Sequence, residues 1–551
     1  MKKIIFILGL AAVVLGTSCS DVLDLNPADR FSPATVWSTT TTADKYVIGL
    51  YSIFGANTEM RGGDAYASPR LSDAYSDILK STSWNQYNHN FNATLLQETA
   101  FNSNSAGAFE CWSSHYDRIR HENAFLRDAA EFGSKFGEDW LKIRIAEVRF
   151  CRAYAYFMLC RVYGGVILRT EVDGPEQNDK ARSTEEECWG FIINELKELA
   201  PDLPLKWDSD NSGRATQKAA YGLLSRVALY AEKWDVAAQA ARDCATAEGN
   251  LDLSKNGYAK IFELGINSPE VLFAVEFKSS VIDHAYDAYV RPSGDTKELG
   301  KQVYSGFVPT SELVDSYEMA GDGGNFSWEK HGKDPYANRE PRFYATILYN
   351  GADWMGRKIE SFVGGKDGYK AYENAGAAGT TVTGYYLRKY LIDGDKTWVT
   401  SGSGQDWIVL RYAEVLLNKA EALAMENWNK NSAEALQALN DVRARVGLPA
   451  RATADKETFL EYVRHERKVE LAGEGFRYWD LRRWRLAEKV IDGQNVHGVK
   501  ISKQSDGSFT YEQVDADGGH KRIFYDRYYR FAIPLSERSN NSLCTNNDGW
   551  I

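Results

Sequence analysis

Three carboxylates, Glu466, Glu470 and Glu474, recur every four residues and would share one face of a helix. Two carboxyls held in different protonation states are the equipment of a glycosidase. However, Arg464, Arg467, Lys468 and Arg477 are interleaved with them. Opposite charges three or four positions apart pair along a helix, so the row reads as a salt-bridged face and no catalytic residue is assigned. The eight histidines include no HExxH and no pair at metal-ligand spacing. Gly402 and Gly404 lack the strand and helix of a dinucleotide fingerprint. Asp208 to Gly213 begins like a calcium loop, but its twelfth position is Ala219 rather than Glu. No metal site and no cofactor are therefore assigned, and only a structural calcium elsewhere stays open.

A second chemistry is written in aromatics mixed with amides and acids. A sugar ring is amphipathic: its C–H faces pack on flat rings, and its hydroxyls need donors and acceptors at the rim. Asp73 and Asp77, followed by Trp84, Tyr87 and Asn90, supply that mix. Trp328, Tyr336 and Trp354 supply more flat surface further along, with Tyr369, Tyr372 and Trp398 in the same region. The chain has 24 Phe, 15 Trp and 31 Tyr, too many for most of them to touch a ligand. The candidate ligand residues are thus Asp73, Asp77, Trp84, Tyr87, Asn90, Trp328, Tyr336 and Trp354. A flexible chain lying across such a surface is expected to bind at micromolar to millimolar strength.

Elements must position these groups, and the start of the chain says where. Lys2 and Lys3 precede an apolar run from Ile4 to Gly16, which has the form of a secretory signal. It ends in Leu15-Gly16-Thr17-Ser18-Cys19, which resembles a bacterial lipobox with Cys19 as the lipidated residue. Several acyl chains on one residue give stable anchoring. Residues 1–18 are expected to be removed, and the loss of two lysines takes the formal charge from −11 to −13. This acidic excess argues against a nucleic-acid backbone as partner. No apolar run in the mature chain has the length of a bilayer span, so membrane contact is expected through the lipid alone. With 26% charged and 44% hydrophobic residues, the balance is globular.

Helical periodicity dominates. Ile143, Ala146, Phe150, Ala153, Phe157 and Cys160 fall on one helical face, closed by Gly164 and Gly165. Ser183 with Glu186, and Thr184 with Glu187, are overlapping capping boxes that open another helix. Thr39 to Thr42 marks a helix start near Ala43. Residues 216–231 and 234–247 form a pair with small residues where they cross and Trp234 at the turn, as in a tetratricopeptide repeat. The same grammar returns at 411–425 with 432–446, and more loosely at 456–471 with 478–490. Four such pairs can stack into a solenoid around one core. Between about 248 and 406 the chain is Gly-dense and rich in Tyr and Trp, with a short strand expected at Phe273 to Phe277.

Several segments match one family. They are RFCRAYAYFMLCRVYGGV from Arg149 to Val166, RATQKAAY from Arg214 to Tyr221, and LRYAEVLLNKAE from Leu410 to Glu421. RHERKVELAGEGFRYWDLRRW follows from Arg464 to Trp484, and the chain closes with FAIP at Phe531 to Pro534 and NNDGW at Asn546 to Trp550. LDLNP from Leu23 to Pro27 follows Cys19. In this order they resemble the SusD/RagB family of Bacteroidetes outer-membrane lipoproteins across nearly the whole chain. The resemblance implies a mostly α fold, with a tetratricopeptide-like helix-pair scaffold, long irregular loops and a few short strands. It implies a single domain over 19–551, with the scaffold at about 142–247 and 407–490 and ligand-face loops at about 60–110 and 250–405. It also implies a non-catalytic, surface-exposed protein that captures oligosaccharides and delivers them to a SusC-like TonB-dependent transporter barrel. Peptide capture, as in some branches of the family, and a purely structural lid on the transporter are the alternatives.

Overall fold

The computed structural model describes residues 32–56, 59–60, 71–82, 101–172, 174, 179–246, 257–321, 323–371 and 380–550. Helices begin where the sequence supplies caps. Helix α1 (Thr40–Leu50) starts from a capping box formed by Thr39 and Thr42. Helices α2 (Trp112–Phe132) and α3 (Glu138–Tyr163) follow, and Gly164 at φ +75° ends α3. Helix α4 (Glu185–Leu199) opens on the box of Thr184 and Glu187, whereas Ser183 plays no cap role because it lies outside the last extended residue. Thr216 caps α5 (Gln217–Tyr230), and α6 (Trp234–Thr246) follows after a tight turn.

These helices stack in chain order. Each of α2 to α6 packs on the next, and α6 then packs on α7 (Tyr412–Arg445), which packs on α8 (Lys456–Glu470). The α5–α6 crossing is lined by Ala219, Ala220, Ala237, Ala238 and Ala241, all buried. Small side chains let the two backbones approach and keep the interior close-packed. The expected pair within α7 is present as one helix broken at Asn427, whose φ of −165° and ψ of 93° interrupt it. The expected last helix is shorter than its periodicity suggested. Helix α9 covers Arg477–Arg483, and a separate five-residue helix follows at Ala487–Ile491. Arg485 at φ +55° breaks the run.

The protein is about 51% helical and its strands are short. Strand β1 (Leu79–Ser81) pairs antiparallel with β3 (Phe307–Pro309), Leu79 opposite Pro309 and Ser81 opposite Phe307. Strand β2 (Val271–Val275) pairs antiparallel with β4 (Trp407–Arg411). The alternation at Phe273 to Phe277 placed this strand two residues too late. The first four residues of β2 are all buried, because rings of Tyr51, Phe54 and Phe150 pack on Phe273 while Leu272 meets α5 at Gly222. A hairpin of β5 (His497–Lys503) and β6 (Phe509–Asp515) completes the main strands.

The front of the described chain is sewn to its back. The Phe101 and Phe531 rings stack at 4.9 Å, the Leu535 amide donates to the Asn104 carbonyl at 3.1 Å, and Arg522 donates to the Ser76 carbonyl. In addition, Glu122 of α2 is fully buried and neither of its carboxyl oxygens has a hydrogen-bond partner. Burial pushes its pKa up to about 8, with Arg152 and Arg118 opposing.

Candidate functional site

The acidic row is structural, as expected, but only Glu466 and Glu470 lie on α8, which ends at Glu470; Glu474 sits in the turn beyond it, and the partners of all three are not helical neighbours. Glu466, Glu470 and Glu474 point into the interior rather than to a solvated face. Arg342 reaches Glu466 at 2.5 Å and Glu470 at 3.0 Å, besides Glu340 at 2.6 Å. Arg411 joins Glu270 at 2.9 Å to Glu470 and Glu474, both at 2.6 Å. Arg443 pairs with Glu318 and Glu466, Arg445 with Glu270 and Glu470, and Lys389 with Glu474. Burial alone would raise the carboxyl of Glu470. The guanidiniums of Arg445, Arg411 and Arg342 outweigh it and hold Glu470 well below the usual carboxylate range. Glu474 is lowered in the same way by Arg411 and Lys389. Groups held ionised cannot donate a proton, so the row has no general acid to offer among these two.

Four of the candidate ligand residues, Asp73, Asp77, Tyr336 and Trp354, are interior, contrary to the expectation that they face a ligand. Asp73 is fully buried, and its carboxylate accepts from the backbone amides of Gly473 (2.9 Å), Gly475 (3.2 Å) and Arg477 (2.9 Å). Burial raises its pKa to about 6, and those amides restrain the rise. Asp73 thereby anchors the turn before α9. Gly475 suits this turn because its φ of +79° is one that L side chains rarely adopt, and a Cβ there would also crowd the end of the Glu59 side chain at 2.3 Å. Asp77 is buried between Arg477 (2.8 Å) and Lys468 (3.3 Å). Tyr336 is buried among Phe343, Tyr349, Tyr385 and Tyr511. Trp354 is fully buried, with its indole N–H on Asp295 at 2.9 Å and the Arg291 guanidinium over its ring. In each case the mixed polar and aromatic composition that suggests a sugar platform serves internal packing instead.

Trp328 is half-buried. Its N–H donates to Asp315 at 3.0 Å, and its ring meets Phe326 and, from β6, Tyr511. Its polar edge is therefore already engaged. Trp84, Tyr87, Asn90 and Cys19 lie outside the described residues, as does Tyr372. Among the described residues, no group of three or more His, Cys, Asp or Glu side chains could hold a metal ion.

An aromatic ledge that the sequence did not single out lies beside the ends of β1 and β3. The rings of Tyr289 and Tyr304 stack at 4.7 Å and 22°, and Tyr304 is 38% exposed. The mount is rigid. The Tyr304 amide donates to the Ala288 carbonyl at 2.7 Å, and the Gly306 amide donates to the Tyr289 carbonyl at 2.5 Å. Ser305, at φ +48°, donates its hydroxyl to the Arg291 carbonyl at 2.9 Å, and Arg291 is itself fixed by Asp287 at 2.8 Å. Thr82 donates its amide to the Gly306 carbonyl at 3.0 Å and its hydroxyl to the Ser305 carbonyl at 2.8 Å. Tyr304 thus stands beside Thr82 of the β1 end. The one sequence signal was Tyr304 between Gly300 and Gly306, and aromatics near glycines are too common in this segment to mark it.

The described residues thus form a frame of stacked helices that carries a partly exposed aromatic pair, with Glu466, Glu470 and Glu474 held in ion pairs. The comparisons with known proteins agree. The SusD family model matches residues 269–550, and a model described as starch-binding associating with outer membrane matches residues 21–229. The chain belongs to the SusD family. It is 25% identical over 547 residues to a SusD-like protein of Bacteroides ovatus, covering 94% of this chain and 90% of that one. Its fold is similar to the crystal structure of a SusD-like protein from Bacteroides fragilis, with a TM-score of 0.80 and 27% identity over 95% of this chain and 100% of that one. A SusD-like carbohydrate binding protein from the same species shares the fold at a TM-score of 0.75 and 24% identity, covering 92% of this chain and 99% of that one. No helix among the described residues is long and apolar enough to cross a membrane.

Proposed function

We propose that this protein captures oligosaccharides at the surface of the outer membrane and passes them to a TonB-dependent transporter barrel. The Tyr289–Tyr304 stack, with Tyr304 exposed and Tyr289 partly buried behind it, carries the reading. It offers a flat apolar face with hydroxyls at its edge, on a backbone fixed before any ligand arrives. Family membership supports a carbohydrate as ligand. Handover to a barrel suits a shallow ledge, because weak contacts let the glycan leave again.

Affinity electrophoresis in gels containing starch and a panel of other soluble polysaccharides tests this. Mobility is expected to be retarded by at least one glycan, and Tyr304→Ala is expected to weaken binding. An aromatic contact is worth about 0.5–1.5 kcal/mol, a factor of roughly 2–12 in Kd. Trp328→Ala should leave glycan binding unchanged, since its ring edge already serves Asp315. Retardation by no glycan, or identical retardation of wild type and Tyr304→Ala, would defeat the proposal; binding of peptides in their place would favour the peptide-capturing branch.

The anchor is proposed on Cys19, with residues 1–18 as its signal. In cells fed a labelled fatty acid, the wild-type chain should take up label and Cys19→Ser should not. Equal labelling of both would place the lipid elsewhere or remove it from the account.

A further inference from the structure

The protein is acidic overall, yet one cleft of its helical scaffold concentrates guanidinium groups. Arg161 from the end of α3, Arg482 and Arg483 from α9, Arg485 just beyond it, and Arg530 line a cleft of about 100 Å³ with Trp479. Two of these arginines have local partners that neutralise them. Arg530 is tied to Glu185, and Arg483 to Glu421 and Asp480. Arg485 lies on the exposed rim, 3.8 Å from Asp526. Glu232 is the remaining acid of the lining.

Arg482 and Arg161 are different. Arg482 is 5% exposed, and its Nε and Nη1 meet no acceptor; only Nη2 donates, to the Tyr529 carbonyl at 2.8 Å. Its guanidinium lies 4.7 Å from the Trp479 ring and 4.8 Å from the Phe531 ring. Ring faces attract a cation but provide no oxygen acceptor for its remaining N–H groups. The Arg161 guanidinium sits 4.0 Å from Trp479, and its Nε is likewise unpartnered. Neither has a carboxylate at ion-pair distance among the described residues. Burial, with the charges of Arg530 and Arg161 adding to it, presses Arg482 down to about 10. Buried donors are nearly always satisfied, and a buried charge is costly unless paired, so this arrangement is incomplete as it stands.

We propose that this cleft is a binding site for one compact oxyanion, a carboxylate, sulfate or phosphate group, held by Arg482 and Arg161 with Arg485 closing the rim. The cleft, at about 100 Å³, has room for one such group. An oxyanion would accept the open N–H groups in charge-assisted hydrogen bonds. The site lies on the scaffold, away from the Tyr289–Tyr304 ledge, and does not rest on the glycan reading.

The test is isothermal titration of the purified chain with sodium sulfate, sodium phosphate and sodium acetate, each against sodium chloride at equal ionic strength. A saturable heat at millimolar concentration is expected from at least one of the three. Sulfate or phosphate alone would identify a tetrahedral ligand, and acetate would identify a carboxylate. Arg482→Lys keeps the charge but loses the guanidinium fork, and should weaken binding about tenfold. Arg485→Ala, at the exposed rim, serves as a second variant should Arg482→Lys fail to fold, and should weaken binding by a smaller factor. No saturable heat beyond chloride, or equal affinity in wild type and both folded variants, would overturn the assignment.

Discussion

Replacing Arg411 by Met is expected to destabilise the protein by about 3–5 kcal/mol, or to prevent folding, because it removes one partner of a buried ion network and leaves the others in place. Arg411 is the meeting point of Glu270, Glu470 and Glu474. All three carboxylates are buried, and the methionine side chain fills space but supplies no donor. Arg445 and Lys389 still reach some of these acids, which is why the loss is set by stranded charge rather than by the whole network. Urea unfolding followed by tryptophan fluorescence measures the change. A loss under about 1 kcal/mol would show that the network tolerates an unpaired member. An exposed pair makes the contrast. Breaking Lys358–Asp353, both largely solvent-exposed, should cost no more than about 1 kcal/mol.

Glu122→Gln is expected to stabilise the protein at pH 8 and to leave it nearly unchanged at pH 4. The folded pKa of Glu122 is raised to about 8 from an ordinary 4.5. Its contribution is therefore complete below pH 4.5, where both states are protonated. It falls as pH rises, because the unfolded chain ionises first, and levels off above pH 8. At 1.36 kcal/mol per unit the full span would be about 5 kcal/mol, and local relaxation reduces it to about 2–3 kcal/mol. Glutamine mimics the protonated acid and has no such dependence. Unfolding free energies of the two proteins across this range should converge at acid pH and separate as pH rises. Parallel curves would mean that Glu122 ionises normally inside α2.

The scaffold was legible because its signals are local. The Thr184 box, the face from Ile143 to Cys160 and the Gly164 stop all depend on residues within a few positions of one another, and each reappears where expected. The motifs from Arg149 to Trp550 fixed the family for the same reason. The candidate site was less legible, since burial is decided by distant partners. Asp73 looks like a sugar contact until Gly473, Gly475 and Arg477 arrive some four hundred positions later to claim its oxygens. Trp354 looks like an open ring until Asp295 takes its N–H. Glu470 was rightly taken as an ion-pair residue, but its cations come from three other segments rather than from its own helix. Conversely, Tyr304 is unremarkable in composition. Only the left-handed Ser305 and the bonds from Thr82 reveal that it is held out to solvent.

The seam between Asp73 and the Gly473–Arg477 turn, with Phe101 against Phe531 and Ser76 on Arg522, has a bearing on manufacture. A nascent chain leaving the ribosome has no native surface for its early segments to settle on until its closing stretch has been synthesised. Meanwhile the half-made polypeptide carries bare apolar side chains and depends on holding factors to stay apart from its neighbours. A late frameshift would consequently ruin the opening of the protein as thoroughly as its close.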